Sequence, residues 1–192
     1  TIDALLNTAE AEALVTYPEL RAQLAGIRDA IPSLKAVLVA CDEAAEDFDA
    51  PEATATDTAF LQFSSGTTGL KKGVAISHQA LLWQVDRYAD AIALDGDDRI
   101  VSWLPLYHDM GLIACLFLPL LTGTPLVAMS PFDWARRPAM LLDAITRHRG
   151  TLCWLPNFAY NFMATKIPDA DLQGIELTSL RGLVNCSEPI LS

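Results

Sequence analysis

Basic residues are scarce in this chain. Of 192 residues, 13 are Lys or Arg against 24 Asp or Glu, a formal net charge of −11. No basic face or stripe stands out, which argues against nucleic acid as a partner. Histidine and cysteine are few and dispersed: His78, His108 and His148, and Cys41, Cys115, Cys153 and Cys186. No two cysteines have the CxxC spacing of a zinc or redox site, so no metal site is assigned. Scattered, unpaired cysteines fit reduced thiols in a cytoplasmic protein. A signal peptide is missing from the first residues. Long apolar runs are also missing, with one exception between Gly111 and Met129. Pro119, Gly123 and Pro125 interrupt it, which predicts a short apolar helix and a buried strand and no membrane span.

Two familiar phosphate loops are absent as well. The Walker pattern needs two glycines five residues apart followed by Lys-Ser/Thr, and the dinucleotide fingerprint needs Gly-x-Gly-x-x-Gly at a strand-to-helix turn. Neither occurs.

What is present is a core-rich globular composition, 52% apolar and 19% charged. So high an apolar share at this length fits a piece of a larger protein, with core surface left for other segments to cover. The acidity is uneven. Residues 1–60 hold 12 acids against 3 bases, whereas the remainder is nearly balanced. Residues 41–58 (CDEAAEDFDAPEATATDT) lack apolar periodicity and read as an exposed acidic connection. This divides the chain into residues 1–58, an N-terminal α/β portion with that linker, and residues 59–192, a second α/β subdomain.

In the first portion the pattern predicts a short helix, a strand near Ala13–Thr16, a helix over Pro18–Ala30 and a strand at Lys35–Ala40. From Ala59 strands and helices alternate. Strands are expected at Ala59–Phe63, Gly73–Ile76, within Asp97–Leu104, and at Pro125–Met129, Thr151–Leu155 and Leu180–Asn185. Helices are expected at His78–Ala93 with Ser77 as N-cap, Gly111–Leu121, Arg137–His148 stopped by Gly150, and Asn157–Lys166. The later strands are short, apolar and without polar alternation, the mark of parallel strands covered on both faces. The fold class is therefore α/β: a doubly wound, mostly parallel sheet with helices on both faces and ligands bound at the strand C-terminal ends.

The most informative stretch is FLQFSSGTTGLKKGVAI, residues 60–76. Ser64, Ser65, Thr67 and Thr68 put four hydroxyls within five residues. Gly66 and Gly69 allow the backbone to turn and approach a ligand closely. Lys71 and Lys72 follow at once. Hydroxyls, free N–H groups and an ammonium suit a polyphosphate. With a strand on either side, the helix dipole contributes little. Composition alone leaves a polar hairpin tip open as the alternative.

Ser64 through Val74 resembles the signature loop of the adenylate-forming superfamily, roughly Thr-Ser-Gly-Ser/Thr-Thr-Gly-x-Pro-Lys-Gly-Val. That superfamily includes acyl-CoA synthetases, fatty acyl-AMP ligases, luciferases and peptide-synthetase adenylation domains. There are two departures: Ser64 for the usual Thr, which keeps the hydroxyl, and Lys71 for the usual Pro. Lys72 matches the family lysine. The resemblance implies that Ser64, Ser65, Gly66, Thr67, Thr68, Gly69 and Lys72 hold the β and γ phosphates of ATP, with Lys72 also acting in catalysis.

A second segment, SWLPLYHDMGL (Ser102–Leu112), ends a strand in a loop holding Tyr107, His108 and Asp109. By itself this could be a His–Asp surface pair. The matching loop of the family borders the acyl pocket and the phosphate site, which makes His108 the candidate gate and catalytic residue. YHDMGLI, MSP…RP and PNFAY together resemble fatty acyl-AMP ligases most. Trp154 and Phe158 receive no role and are read as core. Ser187, Glu188 and Pro189 match a family turn that packs against adenine and the acyl group; an ordinary strand-end turn is the equal alternative.

The resemblance implies ATP-dependent activation of a fatty or other apolar carboxylic acid, then transfer to CoA or an acyl-carrier-protein thiol. Mg2+ would accompany ATP, its ligands mostly outside these residues, as would a hinge and a small C-terminal domain. The chain reads as part of the N-terminal domain and is expected to be inactive alone. Two alternatives remain at this stage: an amino-acid adenylation domain, or a nucleotide-binding relative that does not catalyse.

Overall fold

The computed structural model describes residues 2–24, 26–40, 51–63 and 73–186. The chain divides into two compact units, Thr1–Leu81 and Leu82–Ser192.

The first unit begins with helix α1 (Ile2–Thr8), strand β1 (Ala13–Thr16), a 3-10 turn (Pro18–Leu24), helix α2 (Ile27–Ala30) and strand β2 (Ala36–Val39). The strands β1 and β2 pair in parallel, Ala13 opposite Ala36. The sequence suggested one helix over Pro18–Ala30. The chain instead breaks at Gly26, whose φ of 81° lies in the left-handed region that ends helices. Ile27, Ile31 and Leu34 close a small core against Leu6, Leu14, Leu24 and Val37. Strands β3 (Thr58–Phe63) and β4 (Gly73–Ser77) form an antiparallel hairpin, with Phe63 opposite Gly73.

Helix α3 (His78–Ala91) follows directly. The Ser77 hydroxyl accepts the Ala80 N–H at 3.2 Å, the expected N-cap.

The second unit is built on a four-stranded parallel sheet. Strands β5 (Ile100–Ser102), β6 (Leu126–Ala128), β7 (Leu152–Pro156) and β8 (Gly182–Cys186) lie in the order β6-β5-β7-β8. All three pairings are parallel. Every residue of β5 and β7 is buried, so both faces are covered, as the unbroken apolar runs predicted. On one face Val101, Cys153 and Leu155 pack with Leu141 and Ile145 of helix α7 (Ala139–His148) and Ala159 of helix α8 (Asn157–Lys166). On the other, the Trp154 indole N–H donates to the Tyr88 hydroxyl of α3, with the rings edge to face. Trp154 is fully buried core.

The apolar run after β5 forms one continuous helical stretch: α4 (Asp109–Leu112), a π turn (Ile113–Phe117) and α5 (Leu118–Thr122). Its buried Ala114, Cys115 and Leu118 make it core. Pro119 lacks an N–H and its ring crowds the preceding turn, and the wider π turn just before it relieves that conflict. Among the described residues no helix is long and apolar enough to cross a membrane. Helix α6 (Pro131–Arg136), missed in sequence, starts at a Ser130 N-cap whose hydroxyl accepts the Phe132 N–H at 3.2 Å.

Gly150 does not itself stop α7. The left-handed residue is Arg149, φ 54°, and the Gly150 N–H donates to the Ile145 carbonyl at 2.9 Å. Gly150 is required for another reason: a Cβ there would lie 2.4 Å from the Val101 side chain. The glycine lets α7 end against β5.

Candidate functional site

The residues singled out in sequence fall on two elements, the hairpin of the first unit and the parallel sheet of the second. In the hairpin, the pairing of Phe63 with Gly73 holds the two ends of segment 64–72 side by side. Ser64, Ser65, Gly66, Thr67, Thr68, Gly69 and Lys72 themselves lie outside the described residues, as do Ser187, Glu188 and Pro189. What the structure supplies is their frame: an antiparallel ladder before and after the first group, and β8 leading into the second.

His108 is described. It sits where β5 leaves the C-terminal end of the sheet, and the connection to it is tightly built. The Ser102 hydroxyl accepts the Leu104 N–H at 3.0 Å, and the Pro105 carbonyl accepts the His108 N–H at 3.2 Å. Gly111 then packs α4 onto this turn; a Cβ there would lie 2.3 Å from the Pro105 carbonyl oxygen. His108 occupies the N-cap position of α4, its Nδ1 lying 3.3 Å from the Met110 N–H. The same Nδ1 is 2.7 Å from Asp109 Oδ1, which also accepts the Met110 N–H at 2.8 Å. A 2.7 Å contact requires a shared proton, so Nδ1–H donates to Asp109 and the cap bond passes to the Asp109 carboxylate. In the neutral ring this leaves Nε2 as the free acceptor. His108 and Asp109 are both substantially exposed, so their attraction stabilises the fold by at most about 1 kcal/mol. The pair is better suited to meeting a ligand than to holding the fold.

Around this turn the sheet's C-terminal end carries unusual aromatic exposure: Tyr107 is 86% exposed, Phe132 76% and Phe158 48%. Beneath them, Trp103 and Trp134 stack face to face, with centroids 3.8 Å apart and planes at 4°. Phe158 meets both edge-on at 6.2 and 6.4 Å. Neither buried indole N–H has an acceptor among the described residues. Sequence reasoning gave Trp103 and Trp134 no role and left Phe158 in the core. Their shared signal is position, since each lies on the connection leaving a strand of the parallel sheet. At the neighbouring strand, the Asn185 amide donates to Asn157 Oδ1 at 3.2 Å, leaving the buried Asn185 carbonyl without a described donor.

The opposite end of the sheet is closed by an ion pair that sequence reasoning also missed. Asp98, 1% exposed, receives two bonds from the Arg181 guanidinium, Nε to Oδ1 at 2.7 Å and Nη2 to Oδ2. The Thr151 hydroxyl donates to Oδ1 at 2.6 Å and the Asp95 N–H to Oδ2 at 3.0 Å. Arg181 also donates to the Ile92 and Ala93 carbonyls. The Arg181 hydrogen bonds outweigh burial and hold the Asp98 carboxyl at about 2, with smaller help from Thr151 and Asp95. These residues stand just before β5, β7 and β8 and tie the starts of three strands together. Cys153, in the core between the two ends, has its thiol pushed up to about 12, first by burial and then by Cys115. It is no nucleophile at neutral pH.

Comparison with known proteins now bears on this arrangement. The family model described as AMP-binding enzyme matches residues 1–192. The chain is 36% identical over 141 residues to the long-chain-fatty-acid–AMP ligase FadD26 of Mycobacterium marinum, covering 71% of this chain and 24% of that protein. It is 31% identical over 198 residues to the medium-chain fatty acid–acyl-carrier-protein ligase TtuA of Teredinibacter turnerae, covering 98% and 30%. A fatty acyl-adenylate ligase from L. pneumophila, solved with acyl adenylate and pyrophosphate, superposes with a TM-score of 0.86 at 27% identity, covering 98% of this chain and 33% of that one. The chain thus spans between a quarter and a third of the length of these relatives.

Proposed function

Since the chain belongs to the AMP-binding enzyme family across residues 1–192, we propose that the protein containing it activates a fatty or other apolar carboxylic acid with ATP. A substrate carboxylate oxygen attacks the α-phosphorus of ATP. The bond from that phosphorus to the bridging oxygen of the β-phosphate breaks, giving acyl-AMP and pyrophosphate. The observation that carries this reading is the likeness, over 98% of this chain, to a ligase solved with acyl adenylate and pyrophosphate.

The residues divide the work. Ser64, Ser65, Thr67 and Thr68 offer hydroxyls, Gly66 and Gly69 permit close backbone approach, and Lys72 supplies the cation, together receiving the β and γ phosphates. Lys72 stabilises charge that builds on the leaving pyrophosphate. Ser187, Glu188 and Pro189 continue β8 and receive the adenine and acyl group. His108 gates the carboxylate, presenting Nε2 while Asp109 orients the ring through Nδ1. The exposed Tyr107, Phe132 and Phe158 give the same end of the sheet an apolar surface matched to an alkyl chain. Among the described residues no group of three His, Cys, Asp or Glu could hold a metal ion. The ligands for an ATP-bound Mg2+ are assigned to other parts of the protein. A CoA or carrier-protein thiol then attacks the acyl carbonyl, its C–S bond replacing the C–O bond to AMP, so that AMP and a proton leave; a cytoplasmic setting suits both acceptors.

The test is ATP–pyrophosphate exchange by the full-length protein with a panel of fatty acids and amino acids. Exchange dependent on fatty acids is expected; exchange driven by amino acids, or none with either class, would sink the reading. This chain by itself is expected to give no exchange.

A further inference from the structure

We propose that Trp134 is a positioning residue for acid activation: stacked on Trp103, it fixes the turn that carries His108. The proposal rests on the fatty-acid reading above. The rings come from connections leaving three adjacent strands. Trp103 follows β5, Trp134 lies on α6 after β6, and Phe158 lies on α8 after β7. In the order β6-β5-β7 these are immediate neighbours, so one aromatic brace joins three connections at the end where doubly wound sheets bind ligands.

The stack is held by its faces. Plain core filling would be served by Leu or Phe without stranding two buried indole donors. What indoles add is a broad, flat contact that resists tilting. From Trp103 the chain reaches His108 in five residues, and both ends of that span are held. Ser102 Oγ holds the Leu104 N–H, the Pro105 carbonyl holds the His108 N–H, and Gly111 seats α4 on Pro105. A shift of the Trp103 ring is therefore passed to His108 and not absorbed. Removing Trp134 frees one whole face of Trp103 and takes one edge-on ring contact from Phe158, already half-exposed.

The test uses the full-length protein carrying Trp134→Leu or Trp134→Phe, with Leu141→Ala as a control. Leu141 is in the same buried cluster but outside the ring stack. Trp134→Leu is expected to raise KM for the fatty acid about tenfold with KM for ATP within about twofold, the sign of a misplaced acid site. Trp134→Phe should recover most of this, leaving KM for the fatty acid about threefold above wild type with KM for ATP unchanged. Amide exchange across Leu104–Met110 should quicken about tenfold in Trp134→Leu and stay unchanged in Leu141→Ala. The proposal is overturned if folded Trp134→Leu keeps its fatty-acid KM, if both KM values move together, or if Leu141→Ala gives the same split. Should Trp134→Leu not fold, Trp134→Phe decides: a rise in the fatty-acid KM alone supports the brace, and no rise or an equal rise overturns it. A wild-type protein without fatty-acid-dependent exchange would defeat the functional reading instead. The amide exchange of Leu104–Met110 would then decide the brace separately.

Discussion

The two ends of the parallel sheet are built to opposite specifications. At the N-terminal end, Asp98, Thr151 and Arg181 tie the starts of β5, β7 and β8 into a saturated polar knot, its carboxylate almost wholly withdrawn from water. At the C-terminal end, the connections leaving β5, β6 and β7 expose Tyr107, His108, Phe132 and Phe158. The first end spends its polar groups on one another. The second turns aromatic rings and the His108–Asp109 pair toward solvent, the condition for meeting a ligand. Between them, fully buried strands transmit the rigidity of the knotted end to the open one. Stability should therefore reside at one end and activity at the other.

The largest effect should come from cutting the knot. Asp98→Asn removes the charge facing Arg181 and should cost about 3 kcal/mol in urea unfolding, somewhat softened because Arg181 is partly exposed. The pH dependence has a definite sign. The folded carboxyl is depressed to about 2 from 3.8, so its contribution is complete above pH 3.8 and is lost as pH falls through 2. Wild type should lose about 2 kcal/mol across that window, and Asp98→Asn should lack that part of the slope. A mutant with the wild-type acid profile would remove Asp98 from the account of stability.

The next effect tests a tightly packed point at the open end. Gly111→Ala forces a methyl against the Pro105 carbonyl and should cost about 2 kcal/mol while also raising the fatty-acid KM. Loss of stability with activity untouched would mean that the turn moves without consequence for His108. At the knotted end, Arg149→Gly relieves a left-handed non-glycine residue and should stabilise by about 0.5–1 kcal/mol, read as a raised Tm with unchanged kinetics. The smallest stability effect belongs to His108→Ala, within about 0.5 kcal/mol because the His108–Asp109 pair is exposed. Its effect should appear in the carboxylate KM. A large stability loss there would erase the contrast between the two ends.

How much of this was legible in the sequence follows from the range of each interaction. Local chemistry was readable. Ser77 capping α3, the apolar run of β7, and α8 between Pro156 and Lys166 each lie within a few residues of what determines them. The two strands flanking the Ser/Thr/Gly/Lys stretch were readable, and the hairpin pairing of Phe63 with Gly73 bears them out. The residues of the stretch itself fall outside those described. The long-range contacts were not readable. Asp98 and Arg181 are 83 residues apart, and nothing near either announces the other. Trp103 and Trp134 have no legible role in the sequence, because only the sheet order makes their connections neighbours. The helix expected over Pro18–Ala30 failed because local apolar content concealed the left-handed break at Gly26. His108 was found through motif resemblance, and the structure adds what the motif could not, a ring held by Asp109 at the end of β5.

Acid activation through the hydroxyl-and-lysine loop is tested most directly by fatty-acid-dependent ATP–pyrophosphate exchange in the full-length protein, wild type against Lys72→Ala. Wild type should exchange with fatty acids and not with amino acids. Lys72→Ala should lower kcat/KM for ATP about a hundredfold with Tm unchanged, as expected for loss of one preorganised charge at the phosphates. Equal exchange by the two proteins, or exchange supported only by amino acids, would contradict it.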